Sequence, residues 1–87
     1  MISGKTSTGF EFSIDEVSLD NMEFVDALAE ASKDVIKYSD VVVLLLGKEQ
    51  RAKLYDHVRT EEGRVPVEAV VNEINEIMET SAETKNS

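Results

Sequence analysis

Hydrophobic residues change their spacing several times along the chain, and each change marks an element. Phe10, Phe12 and Ile14 alternate with Glu11 and Ser13, the period of two that buries one face of a strand. Ser7-Thr8-Gly9 supplies a turn in which Gly9 is free to take positive φ, and Lys5-Thr6 can run back alongside. A small hairpin is therefore expected over Ile2 to Ile14. A lone hairpin is marginal in water, so its Phe10 and Phe12 face has to cover helices. Beyond it the period lengthens. Ser18-Leu19-Asp20-Asn21 is rich in side chains that cap helix N-termini, and Met22, Val25, Leu28 and Ala29 follow at helical spacing, which predicts a first helix over Asn21 to Ser32.

The stretch Tyr38 to Lys48, YSDVVVLLLGK, is ambiguous by periodicity alone. Its apolar run is flanked by Asp40 and Lys48 and falls far short of the roughly 20 residues a membrane span needs. The β-branched Val41, Val42 and Val43 suit a strand, whereas Leu44 to Leu46, a cap at Ser39 or Asp40 and a terminating Gly47 suit a helix, the reading adopted. Such a helix is apolar on every side. Either neighbours surround it as a core helix, or one side lies open as a binding surface.

Lys48 to Thr60 reads as a third helix with Ala52, Tyr55 and Val58 on one side, Leu54 adjoining, and a Glu49 to Lys53 pair at four-residue spacing. Glu61-Glu62-Gly63-Arg64 breaks the pattern, and Pro66 stands where a helix begins. Val67, Val70, Val71, Ile74, Ile77 and Met78 then form one stripe, with Glu68, Asn72, Glu76 and Glu79 off it, the clearest amphipathic helix of the chain. The predicted class is mainly α: one small domain over residues 1–80, of about four helices with an N-terminal β-hairpin, and a disordered polar tail, SAETKNS, at 81–87.

Composition narrows the chemistry. Eighteen Asp and Glu against nine Lys and Arg give a net charge of −9, repelled by phosphate backbones and anionic lipid, so neither nucleic acid nor a membrane is an expected partner. With no cysteine and no basic-then-apolar leader, the expected compartment is a cytoplasm. Gly4-Lys5-Thr6 and Gly47-Lys48-Glu49 echo phosphate-binding loops, but neither has the upstream glycine that such a loop requires. Ser18-Leu19 resembles the attachment site of acyl carrier proteins, except that Val17 stands where an aspartate should precede the serine. His57 is the single histidine and reads as a surface or semi-buried side chain. No cofactor, metal or catalytic constellation is indicated, and the chain is not expected to be an enzyme.

Three phrases carry a family resemblance: GKTSTGFEFSID at 4–15, VVLLLGKEQRAKLYDHVRTEEGRVP at 42–66 and VVNEINEIM at 70–78. Together they resemble the small tail assembly chaperones of long-tailed, siphovirus-type phages and prophages of Gram-positive bacteria. The resemblance implies binding of the tape measure protein, protection of its hydrophobic helices from aggregation, and recruitment of tail tube protein. It also implies work in the cytoplasm of the host bacterium, absence from the mature virion, and no cofactor. The family supplies no binding motif to transfer. On physical grounds, the expected partner-binding residues are Leu45, Leu46, Tyr55 and Val58 on and beside the most apolar helix, and Val71, Ile74 and Met78 on the last stripe. Homo-oligomer formation would cover the same apolar surface. The competing readings are an acidic inhibitor that imitates DNA and another small protein-interaction adaptor. Lysine and arginine interspersed through Lys48 to Arg64 weaken the first of these.

Overall fold

The computed structural model describes the backbone of residues 1–86 and the side chains of residues 1–82. Strands β1 (Ile2–Lys5) and β2 (Glu11–Ile14) form the expected antiparallel hairpin, pairing Ile2 with Ile14, Ser3 with Ser13, Gly4 with Phe12 and Lys5 with Glu11. Alternation decides its inner face: Ile2, Phe10, Phe12 and Ile14 are buried, while Glu11 faces solvent. The Phe12 ring lies across Gly4, where an added Cβ would stand 2.9 Å from Cζ of the ring. A larger residue at position 4 would therefore displace a buried aromatic.

Four α-helices are present among the described residues. Helix α1 (Glu16–Leu19) is a single turn, capped by the Asp15 carboxylate accepting from Val17 N. Its four residues are too few to display a helical period in the sequence. Helix α2 (Met22–Ala31) starts as expected, with Asn21 accepting from Glu23 N at 3.0 Å. A 3-10 turn (Val35–Lys37) leads into α3 (Tyr38–Val58). The third helix is broken at Gly47, whose φ of 81° and ψ of 166° lie in a region open almost only to glycine. The predicted helices at Val41 to Leu46 and Lys48 to Thr60 are thus its two halves, the second ending at Val58 where Arg59 turns extended.

Helix α4 (Val67–Asn86) follows Pro66, whose carbonyl accepts from Val70 N at 3.2 Å. This corrects the expected disordered tail from residue 81: the helix continues through Asn86, and Ser87 lies outside the described residues. The reason is packing. Ser81 is fully buried and donates its hydroxyl proton to the Ile77 carbonyl at 2.8 Å, and the Thr80 methyl approaches Gly4 of β1. A polar composition suggests solvent, but Ser81 is buried and its hydroxyl is satisfied within the helix.

The core runs between the hairpin and the helices. Val41, Val42, Leu45, Leu46, Leu54, Ile74 and Ile77 are all buried, with Val43 and Leu44 half-buried. That settles the ambiguity of the apolar run: it is a core helix, packed against α2, α4 and β2. Fully burying each such aliphatic is worth roughly 1.5–3 kcal/mol, against a net domain stability of about 5–15 kcal/mol. Any large apolar side chain left in water is therefore a substantial forgone gain. No helix among the described residues is long and apolar enough to cross a membrane.

Candidate functional site

Two neighbourhoods carry the unusual side-chain arrangements. The first is a polar seam that fastens the hairpin to α3 and α4. Glu73, 2% exposed, accepts hydroxyl protons from Thr6 at 2.8 Å and Thr8 at 2.9 Å, and the Thr6 oxygen accepts from Phe10 N. The Thr8 hydroxyl also lies 3.2 Å from Thr6 Oγ1 and 3.0 Å from His57 Nε2, so three groups share it. The His57 ring also rests against Phe10, centroid to centroid 5.5 Å. One turn along α4, Glu76 accepts from both Ser7 N and Ser7 Oγ at 2.9 Å. On the opposite strand, Gln50 of α3 accepts from Ser13 N at 2.8 Å and donates to Ser13 O at 2.6 Å, pairing with β2 as a further strand would. Among the described residues no buried side-chain nitrogen or oxygen lacks a partner. The seam is thus a satisfied structural network, which holds α3 and α4 in fixed relation.

The second neighbourhood lies where α2 hands over to α3. Asp34 caps the 3-10 turn by accepting from Ile36 N at 3.1 Å, and in that conformation Val35 and Ile36 point outward, 53% and 80% exposed. Facing them is the loop between α3 and α4. It is held by Thr60 N donating to Arg64 O at 2.8 Å and by Arg59 Nη1 donating to Gly63 O at 3.0 Å, and it presents Val65 and the exposed Val67. Between the two walls is a concavity of ≈ 360 Å³ floored by Val42 and Val70 and completed by Tyr38, Ser39 and Tyr55. None of its lining residues is charged. Burial pushes the Tyr38 phenol above its ordinary value of 10.0, so it remains a neutral hydroxyl at physiological pH. The Arg51 guanidinium stands 5.9 Å from the Tyr55 ring centroid, which places a cation beside that side chain.

Of the residues expected to bind a partner, the structure brings Tyr55 into this groove. Leu45, Leu46 and Ile74 are in the core, so the folded chain does not offer them to a partner; the apolar helix is covered by its own neighbours. Val58, Val71 and Met78 are half-buried and do not line the groove. Val58 borders a separate hollow beside Thr8, His57, Ala69, Asn72 and Glu73, and Met78 packs on the core. Sequence reasoning missed Val35, Ile36, Val65 and Val67. The available signal was an apolar pair in a linker too short to bury it, directly after Ser32-Lys33-Asp34. It also missed Glu73, a carboxylate placed on the apolar stripe between Val70 and Ile77, with Thr6-Ser7-Thr8 as its counterpart.

A third concavity, between α2 and α3, gathers Glu23, Asp26, Glu30 and Asp40, but Arg51, Val43 and Leu44 interrupt it, so it presents no continuous carboxylate array. Comparison with protein-family models, with curated proteins and with solved structures found no match to this chain.

Proposed function

We propose that the chain is a protein-binding module that takes an apolar helix into the groove between the 3-10 turn and the start of α4, and that it serves as a tail assembly chaperone for a phage tape measure protein. The observation that carries this reading is the exposure of Val35, Ile36 and Val67 around an uncharged concavity, in a small chain with a net charge of −9. Exposed aliphatics at facing walls suit a helix with apolar residues at three- and four-residue spacing. The surrounding negative charge keeps the chain, and a complex with it, in solution. Nothing in the mechanism requires chemistry: the groove covers apolar surface of the tape measure protein until tail tube subunits replace it. The sequence resemblance supports a tape measure protein as the partner, and the uncharged groove supports docking of an apolar helix.

Co-expression tests the reading. The tape measure protein of the same phage, insoluble alone, is expected to appear in a soluble complex with this chain, and Ile36→Asp combined with Val67→Asp is expected to return it to the pellet. If the double variant remains folded and still solubilises the partner equally well, the groove is not the docking surface. If the unaltered chain forms no complex at all, the chaperone reading itself fails.

A further inference from the structure

The two outer edges of the hairpin are treated differently. Ser13 directs both its N–H and its C=O away from β1, and both are taken up by the Gln50 side chain. That edge is closed. Ser13 is opposite Ser3, and in an antiparallel pair facing residues point their backbone groups the same way relative to the ladder, so Ser3 directs its own N–H and C=O outward from β1. Thr6 N donating to Phe10 O fixes the same alternation from the other end and places Lys5, with Ser3, on the outward set. Ser3 and Lys5 are exposed, and no backbone bond to either outward pair exists among the described residues.

We propose that β1 is a self-association edge, where a second copy of this chain adds its own β1 antiparallel across a two-fold axis to give a continuous four-stranded sheet. The inference goes beyond the chaperone reading and does not depend on it. Three features select a second copy. The edge is self-complementary: with the axis at Gly4, each Ser3 faces the Lys5 of the other copy, and the outward N–H and C=O groups of both residues match in four hydrogen bonds. The axis residue has no side chain to obstruct the close approach of a non-hydrogen-bonded pair. Residues 1–10 contain Lys5 and no Asp or Glu, so β1 itself brings no carboxylate to the contact between two copies of a −9 chain. Because Gln50 occupies the other edge, pairing stops at two copies.

Sedimentation across a concentration series tests this, with Ser3→Pro as the selective variant. The Ser3 N–H makes no bond within the hairpin, so proline there leaves the β1 to β2 ladder intact while removing two donors per dimer. The expected result is a concentration-dependent dimer that Ser3→Pro weakens roughly 30-fold or more. Gln50→Ala, which opens the second edge, is expected to produce species larger than a dimer. Should Ser3→Pro perturb folding, amide exchange on the unaltered chain replaces it: the Ser3 and Lys5 amides are expected to be slow at high concentration and fast on dilution. A chain that stays monomeric throughout, or a dimer indifferent to Ser3→Pro with those amides fast, overturns the proposal.

Discussion

The hairpin seam and the groove sit on the same helices and are built on opposite terms. At the seam, polar groups are paired within the chain around the buried Glu73 and Thr6: Glu73 with Thr6 and Thr8, Glu76 with Ser7, Gln50 with Ser13. At the groove, apolar groups are exposed: Val35, Ile36 and Val67 face solvent around an uncharged floor. Folding alone accounts for the first, because an unpaired buried carboxylate is costly and a paired one fixes register and angle. It does not account for the second, since the exposed area of three aliphatics adds nothing to the stability of the isolated chain. The difference separates residues that hold the molecule together from those left over for another molecule.

Substitutions on the two sides should accordingly behave as different kinds of change. The largest effect on stability is expected from Ile74→Ala in the core, about 2–5 kcal/mol of lost stability by chemical denaturation. Had Ile74 been a partner contact, as the sequence stripe suggested, the loss would be far smaller. Next comes Thr6→Val at the seam, which removes one donor to Glu73 and the acceptor for Phe10 N and should cost about 1–3 kcal/mol. Gly47→Ala tests the break in α3. Nothing stands within 4 Å of the new methyl, so the expected loss of about 1–3 kcal/mol is backbone strain alone and should show as a lowered denaturation midpoint with unchanged slope. The smallest effect on stability, within about 0.5 kcal/mol, is expected for Ile36→Asp, which should nevertheless weaken partner binding. If Ile36→Asp destabilised the chain as much as Thr6→Val, the contrast between seam and groove would collapse.

How much of this the sequence displays depends on the range over which each feature is determined. The Phe10, Phe12, Ile14 alternation and the stripe from Val67 to Met78 are local patterns, and the hairpin and α4 appear where they indicate. Gly47 was legible as a helix terminus because its conformation excludes other residues at a single position. The one-turn α1 was too short to show a period, and SAETKNS looked unstructured because composition does not report that Ser81 meets a buried surface. The groove was the least legible feature. Whether Leu45 or Ile36 faces water is decided by which neighbours arrive from distant parts of the chain: the more hydrophobic stretch attracted α2, α4 and β2, and the modest Val35-Ile36 pair was left outside.

The most direct test of the groove is a titration of the isotopically labelled chain with a synthetic apolar helix of the tape measure protein proposed as its partner, followed through methyl resonances. The account predicts shifts concentrated at Val35, Ile36, Val65 and Val67, with those of Val71 and Met78 unmoved. Shifts confined to Val71 and Met78, or to β1, would contradict it.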